Sequence, residues 1–441
     1  TSLVDSQESG EIFYRRKFNG TLRFIGDDFD LIYMVEQVDP CTELILTIEQ
    51  RDSGAATYHT YWTGYFTTMD GRFDLDNCTF DVTPKPYDDY KNFDLYGDKE
   101  YNILAVTPMV TTKTYVEDYT RNRFVIDVIE YLAAQIIPTV TVTSWFLNNA
   151  INPILNDANK YRYLTIAQKS DIKRPNSTNP ATVGMMSFNQ MMEILRAMYN
   201  LHWTYDGTTI RIEHYDFWTS TAGLDLRTQS IAARSNKYSY VKESMPKYEK
   251  WAFMEAEDTS YKEHTISYDS TCVDPKTTEA IAINVTTDLT YIHNCTMEID
   301  GRNSSDISDE GWVILANYWD GADYRVYYGV GLGSANATYN YPNGWADLLL
   351  SFFMHGRVLL NGYIQETAQD FISSRKTKQQ DIKAIVCYED AYDPNDYITT
   401  ELGETWLGGQ KASVKQATIY HDGHVDFNLV YGVNRNTDVV L

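Results

Sequence analysis

Near the start of the chain, apolar and polar positions alternate with period two in one short run. Cys78–Thr83 carries this pattern cleanly, and Thr21–Ile25, Glu43–Ile48 and Thr60–Phe66 are β-type runs beside it, which predicts strands. Gly26-Asp27-Asp28, Asp52-Ser53-Gly54, Asp70-Gly71 and Pro84-Lys85-Pro86 punctuate the runs and read as turns. Strands at this spacing predict a small all-β sandwich or barrel over the first 117 residues.

The period then changes. Phe124, Val125, Val128, Ile129, Leu132 and Ile136 recur at helical spacing, with Thr120 as the expected cap and Pro138 as the stop. Thr139–Thr143 follows as a short strand, and the polar stretch Asn148–Thr182 reads as loop. Ser187 and Gln190 have the spacing of a capping box, and Phe188, Met191, Met192, Leu195, Met198 and Tyr199 form the stripe behind it. That stripe reads as core rather than as a binding groove. The helix runs into Leu201–Tyr205 and Thr208–His214 across Asp206-Gly207, the signal of a type I′ hairpin. Helix followed by hairpin predicts an α+β unit in which the helix covers one sheet face. Later strands are expected at Ala280–Val285, Trp312–Ala316, Asp381–Cys387, Gly409–Lys415 and the final hairpin Gln416–Tyr420 with Val425–Tyr431. One further helix is expected at Gly344–His355. The predicted class is mainly β with α+β: small sandwich or barrel modules plus helix–hairpin units, divided at 1–117, 118–225, 226–343 and 344–441.

Composition narrows the function classes. The chain has 441 residues and a net charge of −24, which disfavours general nucleic-acid binding and docking on anionic lipid. It holds 35 Tyr, 17 Phe and 9 Trp, residues that suit half-exposed strands and protein interfaces. No run of 18 apolar residues occurs and the first ten residues are polar, so neither membrane insertion nor an export signal is expected. Cys41, Cys78, Cys272, Cys295 and Cys387 show no metal-site spacing. Cys78 and Cys387 sit in apolar alternation and read as small buried hydrophobes.

Each candidate for chemistry has a plainer structural reading. Gly329-Val-Gly331-Leu-Gly333 lacks the helix that a dinucleotide site needs after it. His421 and His424 flank an Asp-Gly turn, and Glu213, His214 and Asp216 close a hairpin. Asp27-Asp28, Asp88-Asp89 and Asp393–Asp396 are adjacent acids expected by chance among 61. No Gly-x-Ser-x-Gly, His-Glu-x-x-His or phosphate-loop motif occurs. No catalytic, cofactor-binding or metal-binding residue is assigned, no cofactor is expected, and the chain is read as non-enzymatic.

Four stretches carry a resemblance. They are Phe18–Asp30 with Tyr61–Phe66 and Val82–Tyr90; Leu195–His214; Tyr238–Tyr240 with Met245–Glu249 and Trp251–Phe253; and Asp393–Gly403 through Tyr431. Together they resemble structural tail proteins of phages infecting Bacteroidetes-type bacteria, of the tail-tip or baseplate-hub type. The resemblance implies a virion subunit that is assembled in the host cytoplasm and acts by building a ring or trimer around a central channel. Its partners would be further copies and other tail proteins, with genome DNA passing an acidic lumen without specific binding. Tyr61, Trp62 and Tyr65 are the candidate interface. A receptor- or carbohydrate-binding tail protein is the alternative, and a tail-associated glycan or peptidoglycan hydrolase a third class. The Tyr-rich stretch at about 255–340 departs from the pattern.

Overall fold

A computed structural model describes residues 2–7, 12–51, 57–115, 118–151, 161–173, 181–199, 201–214, 217–218, 222–226, 239–240, 248–252, 263–267, 285–286, 311–326, 378–385, 397–399, 413–420 and 424–431. The fold is mainly β, with several sheets and few helices, as the alternation predicts. Contacts group the chain into two units built from segments that alternate along the sequence, rather than into four consecutive stretches. One holds 1–91, 220–241 and 376–437; the other holds 92–219, 242–375 and 438–441.

In the first unit, strands from both ends of the chain share a six-stranded sheet. Its order is Ser239–Tyr240, Lys378–Ile385, His424–Tyr431, Ser413–Tyr420, Ser2–Gln7, Tyr14–Asn19, with every pairing antiparallel. Val425, Phe427 and Leu429 alternate into the core. On the neighbouring strand the register shifts between Val414 and Gln416. This bulge lets Val414 join Ala417 and Ile419 in the same cluster despite the odd spacing. Leu3, Phe18, Trp62 and Leu226 complete it.

Two three-stranded sheets accompany it. Leu44–Arg51, Tyr58–Phe66 and Lys85–Pro86 form one; Leu22–Ile25, Thr79–Val82 and Arg72–Asp74 form the other. A helix, α1 (Asp27–Val38), stands where the sequence predicts a turn. Gly26 precedes it at φ 60, and Asp27, Asp28 and Asp30 sit in the first turn, where the helix dipole favours negative charge. Phe29 and Ile32 bury themselves against Phe66, Phe80 and Val82. The N-terminal region is therefore not all-β: only two α1 residues reach the core, so helical periodicity is faint. Cys78 is exposed at φ 49, next to a turn in which the Asp74 carboxylate accepts from Asp76 and Asn77. It is not the buried hydrophobe that alternation suggests. Cys41 is exposed too.

The second unit contains a closed five-stranded barrel. Leu164–Gln168, Asp118–Phe124, Val110–Tyr115, Tyr324–Val326 and Trp312–Trp319 pair in that order, and the last returns to the first. Leu164–Gln168 and the short helix Lys169–Lys173 fall inside the stretch that reads as loop. The amphipathic helix spans Val125–Ile136, with Val125, Val128, Ile129, Leu132, Ala133 and Ile136 buried. Thr120 does not cap it but lies buried in the preceding strand.

The helix–hairpin follows the sequence closely. Over Phe188–Tyr199 the capping box is formed: the Ser187 N–H donates to Gln190 Oε1 at 3.1 Å, and the Gln190 N–H to Ser187 Oγ at 3.1 Å. Met191 and Met192 are core residues. Leu201–Tyr205 pairs with Thr209–His214, and Thr141–Thr143 adds a parallel strand. The turn differs in type. Only Gly207 has positive φ, at 90°, while the Asp206 carboxylate accepts from the N–H groups of Thr208 and Thr209. Type I′ needs positive φ at both central residues; here the Asp side chain closes the loop instead.

Candidate functional site

The candidate site is an open groove in the first unit, about 500 Å³ in volume. Its walls are the strands Ser2–Gln7, Tyr14–Asn19 and Tyr58–Phe66, with the segment from Pro86 to Tyr90 as the rim. The register between Leu44–Arg51 and Tyr58–Phe66 pairs Ile48 with Trp62 and Glu49 with Thr60, leaving Tyr61 as an extra residue. Such a bulge re-aims its side chain, and the Tyr61 ring lies 5.3 Å from the Arg16 guanidinium.

Of the three predicted interface residues, only Tyr61 presents side-chain surface, and it is half-buried. Trp62 and Tyr65 are each 5% exposed. The Trp62 indole N–H donates to the Arg16 carbonyl at 2.9 Å, and its ring packs beside Phe18. A Cβ at Gly64 would sit 2.1 Å from that ring, so glycine is required there. The Tyr65 ring sits under Lys91 Nζ at 4.2 Å and edge-on to Tyr87. These two aromatics are internal packing, drawn in because large rings bury best in a sandwich core.

Two Arg–carboxylate pairs frame the groove. Arg15 grips Asp88 through Nε and Nη2, both at 2.8 Å. Arg16 grips Asp5, its directly opposite partner in the strand register, at 2.7 and 2.8 Å. Two parallel N–H···O bonds fix a carboxylate's orientation as well as holding it. Arg15 and Asp5 are buried, whereas Arg16 and Asp88 keep about a third of their side chains open. Tyr90 accepts Arg15 at 5.7 Å over its ring and stacks on Phe13 at 4.0 Å. Beside the rim, Lys85 reaches Asp70 at 2.6 Å, and that hydrogen bond raises its pKa despite partial burial. The arrangement has no nucleophile placed beside a base; it offers rings, one acceptor carboxylate and one donor guanidinium.

Sequence reasoning did not select Arg15, Arg16, Asp5, Tyr87, Asp88 or Tyr90. Asp88 is 73 residues from Arg15, and no local spacing announces such a pair. The adjacent acids Asp88-Asp89, within the Val82–Tyr90 stretch, are the trace of it in the sequence.

Other candidates resolve into structure. The buried Glu213 carboxylate accepts from the N–H groups of Trp145 at 2.7 Å and Phe146 at 3.0 Å, closing the start of the short helix Trp145–Asn148. Burial pushes its pKa up, although both hydrogen bonds and Arg211 oppose that. His214 is buried and stacks near Phe146. His424 opens the final strand. Asp216, Cys272, Cys295, Gly329–Gly333, Gly344–His355, Cys387, Asp393–Asp396 and His421 lie outside the described residues. Among the described residues no His, Cys, Asp and Glu side chains group as a metal site, and no helix is long and apolar enough to cross a membrane.

No family model and no curated protein matches the sequence. Three solved tail proteins are among the structures that align with the chain. The 43 kDa tail protein of prophage MuSo2 from Shewanella oneidensis aligns over 98% of this chain and 92% of its own, at 8% identity and a TM-score of 0.39. A tail protein from Neisseria meningitidis aligns over 97% and 96%, at 10% identity and 0.33. Prophage tail protein gp18 from Listeria monocytogenes aligns over 99% and 89%, at 7% identity and 0.34.

Proposed function

We propose that the chain is a non-enzymatic structural subunit of a phage-like tail, at the hub, tail tip or baseplate, acting by assembly around a central channel. One observation carries the assembly role: an uncovered apolar face on α1. Leu31, Met34 and Val38 recur at helical spacing and are 54%, 59% and 87% exposed. Met69, also exposed, extends the face, since its Sδ lies 3.7 Å from Sγ of Cys41 just beyond α1. Contiguous exposed apolar surface marks an interaction site. The sequence resemblance supports the tail assignment, and the three segments of its first stretch (Phe18–Asp30, Tyr61–Phe66 and Val82–Tyr90) belong to this one unit. The host class rests on that resemblance alone.

The partner proposed for the α1 face is a second copy, in a ring or trimer that closes on itself. A net charge of −24 opposes association, so screening by added salt should strengthen it. Light scattering across a salt and concentration series tests this, with Val38→Asp expected to weaken the oligomer. A monodisperse monomer under every condition overturns the assembly reading. A receptor-binding role is favoured by a different observation, the groove with its part-exposed tyrosines and oriented ion pairs.

A further inference from the structure

We propose that the groove beside Tyr61 binds an uncharged saccharide, an assignment that deepens the receptor-binding reading and rests on it. The groove presents two kinds of surface together. Tyr87 is 45% exposed and Tyr61 is partly open, giving ring surface at its rim and wall, while Lys91, Arg16 and Arg15 cover other ring faces of Tyr87, Tyr61 and Tyr90. Among them stand polar groups whose directions are fixed by ion pairs. Asp88 is held by buried Arg15 and accepts the Tyr90 N–H as well. These three hydrogen bonds leave this part-open carboxylate an acceptor site, since an ionised carboxylate offers about four. Arg16 is held by buried Asp5, keeps about a third of its side chain open and lines the groove with it.

A sugar ring matches that pairing, because its C–H face packs on an aromatic ring while its hydroxyls both donate and accept. A fixed carboxylate and a fixed guanidinium read hydroxyls without paying for their own ordering. Charge selects the uncharged class. Each arginine already faces its own carboxylate, exposed Asp89 adds negative charge to the lining, and the chain is acidic overall. An anionic ligand would have to displace a bidentate partner, and a cationic one reaching the open acceptor of Asp88 would meet the guanidinium groups of Arg15 and Arg16 beside it.

The test titrates the full chain with N-acetylglucosamine trimer, maltotriose and cellotriose, read by calorimetry and saturation-transfer NMR. At least one should bind in the millimolar range or tighter. Tyr87→Ala should weaken it about tenfold, the order expected for loss of one aromatic contact. Asp88→Asn should weaken it at least as much, and Tyr420→Ala, outside the groove, should change nothing. Tyr87 supports no backbone pairing through its ring, so its variant stays informative if Asp88→Asn unfolds. Saccharide binding that ignores both groove variants overturns the groove assignment and leaves the receptor reading standing. Preference for an acidic trisaccharide overturns the uncharged class. Attachment to intact host cells without affinity for any saccharide tested removes the saccharide and keeps the receptor role. Failure of both attachment and saccharide binding removes both.

Discussion

The core beside α1 and the interior of the five-stranded barrel are both lined by strands, yet the first is dominated by rings whereas the second buries hydroxyls and amides among its apolar and aromatic side chains. Phe29, Phe66 and Phe80 are buried together, with Phe24 and Phe73 packed against them, and their centroids lie 4.6 to 6.4 Å apart. In the barrel, the strand registers place Val110, Thr112, Thr120, Asn122, Thr165 and Leu315 on one face. Asn317 joins that face through its amide, which donates to Thr165 Oγ1 at 2.7 Å, as Asn122 donates to Thr112 Oγ1 at 2.7 Å. Rings attract without strict direction and tolerate small shifts. Amides and hydroxyls hold only in the register that pairs them, so the barrel gains specificity where the aromatic core gains stability. The Oδ1 atoms of Asn122 and Asn317 accept no bond among the described residues, which makes this core the costlier of the two.

The largest effect should come from the ring core. Phe80 is fully buried and touches three other rings. Phe80→Ala should cost about 3–5 kcal/mol of stability, the usual range for deleting a core phenylalanine. Urea unfolding measures it, and a loss below about 1 kcal/mol would mean that the site collapses freely and the ring core is not a packing unit.

The barrel should respond by a different rule. Asn122→Ala should cost about 1–3 kcal/mol, because it strands the Thr112 hydroxyl in a dry interior. Adding Thr112→Val should return part of that loss, since removing both partners leaves nothing unpaired. A double-mutant cycle reads the coupling directly. Strictly additive losses would place the two side chains in separate environments and dissolve the contrast with the ring core.

Most strands around α1 are read from the sequence, whereas of the five barrel strands only Trp312–Trp319 is, and this differing legibility has a physical cause. The helix Val125–Ile136 is visible because six of its residues enter the core at helical spacing. Helix α1 is not, because only Phe29 and Ile32 do, while Leu31, Met34 and Val38 face outward and blur the period. Leu164–Gln168 is missed for the opposite reason. Leu164, Thr165, Ile166 and Ala167 are all buried, so the strand lacks alternation and sits between polar neighbours. The groove is least legible of all. One bidentate pair, Arg16 with Asp5, follows from strand register, the other joins Arg15 to a bend residue, Asp88, 73 positions away, and the re-aiming of Tyr61 depends on a bulge.

A smaller effect separates local from tertiary encoding. The Ser187–Gln190 box is specified within four residues and forms as read. Ser187→Ala should cost about 1 kcal/mol, the common value for an N-cap. Thermal unfolding checks it, and Ser187→Thr should recover most of the loss because the accepting oxygen returns. An unchanged Tm in Ser187→Ala would show that tertiary packing alone starts the Phe188–Tyr199 helix.

The finest contrast between the regions is electrostatic, and it has opposite signs. In the first unit, burial alone would raise the Asp70 pKa, but the hydrogen bonds from Lys85 and Thr67 outweigh it and the value falls below the ordinary 3.8. A carboxyl depressed on folding stabilises above its unfolded value, and that contribution is lost as pH drops through the folded one. In the second unit, burial raises Glu213 above the ordinary 4.5, with the Trp145 and Phe146 N–H groups opposing. A carboxyl raised on folding favours the native state below its unfolded value, and the benefit fades as pH climbs through the raised one. Urea midpoints from pH 3 to 8 should therefore diverge for two conservative variants. Relative to Asp70→Asn, the wild type should lose its advantage on acidification toward pH 3. Relative to Glu213→Gln, it should lose ground as pH rises above about 4.5, because the neutral amide escapes the cost of a buried charge. Parallel curves for Glu213→Gln would mean that the two backbone N–H donors stabilise the carboxylate as fully as water does, and the helix start at Trp145 would then be an anion cradle rather than a site that prefers a protonated acid.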